Sequence, residues 1–286
     1  MEGTKNMSDK ANQAARKQAR HKRRTAAIVL IVILLFVWWY GTFTLSVTTQ
    51  TISNEKIQSE VTIVHLTDLH GATFGKDNAD LVAKVRQQQP DLIAVTGDMY
   101  THGDNKGRQT ALSLMEQLTD IAPVYYVNGE HDHGEAFAAQ LEEVGVNALR
   151  YEDERLEING TPIHLYGITN VYYTATFDLA NEFTLDENAY CVLLAHVDHF
   201  EKFAQFGIDL SLCGDTHGGQ VRLPFIGAVF LPDSGLFPEL RGARVKGLYR
   251  KRGKLMYVSG GLGNYPVPLR FCNCPEIAVI KLQPTQ

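Results

Sequence analysis

The stretch Leu212-Cys-Gly-Asp-Thr-His-Gly-Gly-Gln220 ends an apolar run in a carboxylate and an imidazole two positions apart. Two glycines follow, with no side chains to crowd whatever those groups hold. The same kind of ending recurs along the chain. Asp68-Leu-His70 closes Val61–Thr67, Gly97-Asp98 closes Asp91–Thr96, and Asn128-Gly-Glu-His-Asp132 closes Pro123–Val127. His196 follows Leu193-Leu194-Ala195. In open α/β sheets ligands bind beyond the carboxyl ends of the strands, and each of these loops delivers Asp, Glu or His there. One Asp-x-His is ordinarily a surface turn, and one buried His is ordinarily a satisfied core group. A whole series in order points to a shared site.

Carboxylate and imidazole donors without thiolates suit divalent Mn, Mg, Fe or Zn. Asp68, His70, Asp98, Glu130, His196, Asp215 and His217 are more candidate ligands than one ion needs. Two cations about 3.5–4 Å apart that share a carboxylate would use them, and that arrangement clamps attacking and leaving oxygens in phosphoryl chemistry.

The elements that must position these groups are legible as alternation. Short β-rich runs at 61–67, 91–96 and 123–127 enclose helical stretches near 78–89 and 109–118, the pattern of βαβ units in a layered α/β fold. Asn159-Gly160 joins two alternating runs, 154–158 and 161–168, as a hairpin. Runs at 190–195 and 209–213 follow, then a second hairpin around Lys251-Arg252-Gly253 and a last strand over 276–282.

Asp68-x-His70, Gly97-Asp98, Gly129-x-His131-Asp132, His196 and Gly214-x-x-His217-Gly-Gly-Gln220 resemble the ordered signature of the calcineurin-like metallophosphoesterase superfamily. The Gly-Gly-Gln ending and the following Val-Arg-Leu-Pro are similar to a membrane-associated bacterial branch that includes UDP-2,3-diacylglucosamine hydrolase-like phosphohydrolases. The resemblance covers roughly 61–283. It implies a four-layer αββα sandwich and a metal-activated hydroxide attacking phosphorus in line. It places Asp68, His70 and His217 on one metal and Asp98 as the bridge. Residue 130, His196 and residue 215 fall to the second metal. His131 would act as general acid or transition-state stabiliser beside the scissile phosphate, with Asp132 orienting it.

The chain departs from that pattern at two positions. Glu130 stands where the family has Asn, and Asp215 where it has His. Both belong to the second metal, and both exchange a neutral ligand for an anionic oxygen. A harder site is expected, with Mn foremost and Mg, Fe or Zn as alternatives. Loss of the second metal would instead leave a catalytically impaired module that binds phosphate headgroups or a partner protein.

The charge distribution bears on location. Within residues 1–24, eight Lys/Arg face Glu2 and Asp9, a net +6, while the rest carries 19 bases against 30 acids, a net −11. An acidic body excludes a nucleic-acid-binding one. Residues 25–45 are expected to be a transmembrane signal anchor: Ala26–Leu45 is free of charge, and as a helix it would span about 30 Å. Trp38, Trp39 and Tyr40 sit at its far end, where aromatic rings suit the interface. The basic side then faces the cytoplasm, and a tether over 46–60 leads to an extracytoplasmic domain, 61–283. The expected substrate is a phosphoester or pyrophosphate, lipid-linked or a UDP-acyl-sugar, with no protein partner implied.

Among other groups, His65 should point away from the site, and His102 and His133 lie in site loops. Arg222 and Arg270 are expected either to pair with phosphate or to form surface salt bridges. Cys191 and Cys213 read as buried small hydrophobes. Cys272-Asn-Cys274 has no second Cys pair with which to build a site.

Overall fold

The computed structural model describes residues 2–169 and 177–285; the expected basic arm, 1–24, lies partly outside them. The chain divides into two units, Met1–Tyr40 and Gly41–Gln286. The first is helix α1, Glu2–Phe43, which crosses the boundary by three residues. Its Arg16–Phe43 portion is long and apolar enough to cross a membrane.

In the second unit the elements run β1 (Ser46–Asn54), β2 (Val61–Leu66), α2 (Ala79–Gln87), β3 (Leu92–Val95), α3 (Asn105–Thr119), β4 (Val124–Tyr126), α4 (Glu135–Glu143) and β5 (Asn147–Ala148). A second series follows: β6 (Glu152–Ile158), β7 (Thr161–Gly167), β8 (Tyr190–Leu194), α5 (Phe200–Phe206) and β9 (Leu210–Cys213). Two small ribbons come next, β10 (Arg222–Leu223) with β11 (Gly227–Ala228), and β12 (Phe230–Leu231) with β13 (Gly235–Leu236). The chain closes with β14 (Gly247–Lys251), β15 (Lys254–Val258) and β16 (Glu276–Pro284).

Among the described residues, two six-stranded sheets form, ordered β1-β16-β2-β3-β4-β5 and β14-β15-β9-β8-β7-β6. Strands β2, β3, β8 and β9 are buried along their whole length, so both faces favour apolar residues, and apart from Thr62, His65 and Ser211 their sequences are apolar. In β2 and β3, period two sends Val64, Leu66, Ile93 and Val95 toward α2, α3 and α4. Ile63, Leu92 and Ala94 meet Val192, Leu194, Leu210 and Leu212 of the other sheet. Leu193, Cys191 and Cys213 pack with Phe200 and Phe203 of α5. Helices, sheet, sheet and helix make the expected αββα sandwich. Cys191 and Cys213 are buried small hydrophobes, as read.

Residues 46–54 do not act as a tether. They form β1, an edge strand parallel to β16 with Ser46 opposite Glu276 and Asn54 opposite Pro284. The alternating partial burial of SVTTQTISN explains why it reads as polar linker: an edge strand is held by main-chain pairing and needs few apolar side chains. The short helices α4 and α5 were also not apparent from the sequence pattern.

Candidate metal centre

The loops after β2, β3, β4, β8 and β9 converge at one rim. Oxygen and nitrogen atoms of Asp68, His70 and His217 lie within 4.8 Å of one another, as do those of Asp68, Asp98 and His196, and those of His70, Asp98 and His131. Asp68 and His196 are wholly buried, and Asp98 and His217 nearly so. His70 Nε2 and His217 Nε2 face each other at 3.2 Å. His196 Nε2 stands 3.4 Å from Asp98 Oδ2, 3.7 Å from Asp215 Oδ1 and 3.9 Å from Asp68 Oδ1.

Backbone geometry aims these groups. Asp68, His70, Asp98, Asp215 and His217 all have positive φ, between 47° and 73°. Such left-handed conformations cost free energy in L-residues and persist where surrounding structure enforces them. Here the enforcement is visible. Asp68 N donates to Gly97 O at 3.0 Å, His70 N to Asp98 O at 3.0 Å, and Gly263 N to Asp68 O at 2.6 Å. Carboxylates tie the loops in turn: Asp215 N donates to Asp68 Oδ1 at 3.0 Å and His131 N to Asp98 Oδ1 at 2.8 Å. At Gly129 and Gly214 a Cβ would overlap Asp98 Oδ1 and Thr67 Oγ1 respectively, so only glycine allows these approaches.

The outer ring nitrogens of two histidines are already committed. His196 Nδ1 donates to Thr96 O at 2.6 Å, and His70 Nδ1 pairs with Thr101 Oγ1 at 3.0 Å. Each leaves Nε2 pointing inward, the usual way a metal-binding imidazole is oriented. Asp68 Oδ2, His196 Nε2 and His217 Nδ1 are buried without a hydrogen-bond partner. Unsatisfied buried polar atoms cost free energy, and bound cations would relieve that cost at Asp68 and His196. The oxygen and nitrogen donor set, with no thiolate, fits divalent metals.

Charge states follow from burial and proximity. Burial lifts Asp68 to about 7, with Asp98 and Asp215 adding to the rise against His196. Burial also lowers His70 to about 4 and holds His217 well below the usual imidazole range. Burial alone would raise Asp98, but the charge of His196 and the His131 N–H keep it far below the ordinary carboxylate value. His196 moves the other way: burial opposes its charge, yet Asp98, Asp68 and Asp215 hold it well above an ordinary histidine. The carboxylates around His196 thus favour positive charge at this position.

The remaining site residues divide. Asp215 is near, its carboxyl raised by burial, Asp98 and Glu130 despite the opposing charge of His196. Glu130 is exposed at the rim and belongs to none of the close donor groups among the described residues. The His131 ring is half-buried, 5.2 Å from that of His70 between centroids. Asp132 does not grip the His131 ring through the hydrogen bonds seen here. Its oxygens accept from Met99 N and Gly129 N, each at 2.7 Å. It staples the loop after β3 to the loop after β4, and orients His131 only through that backbone.

Other expectations resolve by burial. His65 belongs to none of the close donor groups among the described residues and pairs with Thr96 Oγ1 at 2.8 Å. His102 and His133 stack on one another, ring centroids 5.9 Å apart. Arg222 pairs with Glu239 at 2.8 Å, the salt-bridge alternative. Arg270 does neither expected job. It is wholly buried, with Nη1 donating to Gly260 O at 2.8 Å and Nη2 to Gly263 O at 2.6 Å. Tyr265 was missed. Its ring stacks on His70 at 5.0 Å and leans on His131 at 4.4 Å, and no motif spacing links it to either.

Comparison with known proteins agrees with this geometry. A family model described as calcineurin-like phosphoesterase matches residues 61–219. The Bacillus subtilis metallophosphoesterase YkuE is 27% identical over 237 residues, 78% of this chain and 79% of the relative. A Helicobacter pylori (strain J99) metallophosphoesterase is 30% identical over 80% of this chain, which spans 62% of that protein. The Escherichia coli phosphodiesterase YaeI is 27% identical over 77% of this chain and 81% of its own length.

Proposed function

From the premise that this chain belongs to the calcineurin-like phosphoesterase family and is a hydrolase, we propose that it is a membrane-anchored, two-metal phosphodiesterase acting on a phosphoester at the bilayer surface. The observation that carries the reading is the convergence of Asp68, Asp98 and His196 from three separate loops within 4.8 Å. Asp68, His70 and His217 would hold one cation and Glu130, His196 and Asp215 the other, with Asp98 between them. Cations held there would supply Lewis acidity, lowering the pKa of water and offsetting charge on the phosphoryl oxygens.

The chain's own groups do the rest. Asp98 fixes the His131 main chain through its N–H, and Tyr265 flanks the imidazole, so the ring is held at the rim where a leaving oxygen would emerge. From there His131 can donate a proton to that oxygen. Asp132 keeps the two loops in register from beneath.

The test is hydrolysis of a bis-aryl phosphate diester with added Mn²⁺. Turnover that His131→Ala reduces by a factor of about 10²–10⁴ supports the assignment. No turnover with any divalent ion would favour a non-catalytic phosphate-binding module. Glu130 and Asp215 should make the second position prefer Mn or Mg, and equal loading with Zn in a metal analysis would count against that preference.

Helix α1 supports the anchor, and the basic residues preceding the apolar segment support an extracytoplasmic body. Protease accessibility of the body in intact cells tests this topology. A lipid-linked phosphoester suits an anchored enzyme. A UDP-acyl-sugar, as in the branch that Gly218-Gly219-Gln220 resembles, fits an external body less well.

A further inference from the structure

Four large apolar side chains stand exposed on two adjoining loops. The ribbon β10–β11 turns through Pro224-Phe225-Ile226, where Phe225 reaches 108% of full exposure and Ile226 is also exposed. Beside it, Val267 and Leu269 are exposed on the loop leading to Phe271. The loops are joined main chain to main chain: Arg222 N donates to Phe271 O at 2.9 Å and Phe271 N to Gln220 O at 3.2 Å. Single exposed apolar residues need no explanation. A group gathered on joined loops marks a contact surface.

Two observations say what covers it. First, the same loop receives the chain as it leaves its apolar helix. Thr42 Oγ1 donates to Arg270 O at 3.4 Å and accepts from Arg270 N at 3.2 Å. Arg270 is the immediate neighbour of Leu269 in sequence, and Thr42 lies two residues beyond Tyr40. Only Gly41 separates Tyr40, the last residue of the helical unit, from the residue bonded to this loop. Trp38, Trp39 and Tyr40, at that end of the apolar run, are residues that favour the headgroup level. Second, the loop carries Tyr265, which stacks on His70 at the mouth of the metal centre.

We infer that Phe225, Ile226, Val267 and Leu269 insert into the lipid–water interface beside the anchor and seat the mouth of the metal centre at the level of the headgroups. Apolar and aromatic side chains that enter the headgroup–acyl boundary add to an anchor's hold on the membrane. Here they also orient the body, so that Tyr265 and His131 meet a phosphoester presented by the bilayer rather than one arriving from bulk water. The inference rests on the reading of α1 as a membrane anchor.

The experiment uses the full chain in phosphatidylcholine vesicles. Trp38→Phe and Trp39→Phe remove its two native indoles, and Phe225→Trp installs a reporter on the ribbon. The expected result is a blue-shifted emission that loses most of its intensity to lipids brominated near the headgroup end of the acyl chain. A water-like, unquenched emission from vesicles that still float with protein would overturn the insertion and leave the anchor standing. A blue-shifted emission that brominated lipid does not quench would overturn it in favour of cover by a second copy. Failure of the chain to float with vesicles would overturn anchor and insertion together.

Discussion

Thr96 O, at the end of β3 in one sheet, accepts the Nδ1 proton of His196, which follows β8 in the other, at 2.6 Å. This bond crosses the seam of the sandwich where the metal centre is built. It fixes the ring so that Nε2 faces Asp98, Asp68 and Asp215. Replacing His196 therefore removes both a donor and a brace between sheets. If two cations bind as proposed, His196→Ala should lose one of them in elemental analysis. Thr101→Val, which strips only the support of His70 Nδ1, should weaken metal binding by about 10–100-fold with little change in Tm.

Metal binding should be linked to protons. In the metal-free chain burial holds Asp68 at about 7, above its ordinary 3.8. The folded state then keeps a proton that the unfolded chain has lost, so this group's contribution to stability falls as pH rises from about 4 to 7. His70 runs the other way. Lowered to about 4 from 6.5, it is neutral when folded while the unfolded chain is charged, so its contribution is lost as pH falls through that range. A cation must displace the Asp68 proton and, because the neighbouring carboxylates hold His196 charged, that one too. Mn²⁺ affinity measured by calorimetry should rise by about tenfold or more per pH unit between about pH 5 and 7. A flat profile would refute the charge states described above.

Gly129→Ala tests how tightly the loops interlock. The added methyl would overlap Asp98 Oδ1, the atom that accepts from His131 N. Activity should fall by about 10²-fold, the usual consequence of displacing positioned groups by an ångström, while far-UV circular dichroism stays unchanged.

Arg270 holds the chain that passes over Asp68. Its guanidinium caps the carbonyls of Gly260 and Gly263 in full burial. Arg270→Met keeps much of the volume but leaves those carbonyls unpaired, which should cost about 2–4 kcal/mol in urea unfolding. A role in binding phosphate would instead raise KM with stability unchanged.

Tyr265→Leu should preserve folding and lose the ring contacts to His70 and His131. Such contacts are worth about 0.5–1.5 kcal/mol, so kcat/KM on the aryl diester should drop by roughly 2–10-fold. Unaltered kinetics would remove Tyr265 from the site.

The sequence by itself determined which chemistry the chain carries and roughly where its central strands lie. Strands such as β2, β3, β8 and β9 are buried on both faces and are apolar apart from Thr62, His65 and Ser211; the clustered Asp and His groups just past them stand out for that reason. Asn159-Gly160 and Arg252-Gly253 name their own turns because both hairpins need positive φ there. Only the tertiary structure decided the rest. Strand β1 pairs with β16 across more than two hundred residues through main-chain groups, and main-chain groups leave no side-chain pattern. Asp132 spends its carboxylate on backbone amides, Arg270 turns inward to carbonyls, and Tyr265 reaches His70 from a distant loop. Residue type says what a side chain is able to bond; which partner it meets depends on how separate loops close over one another in space.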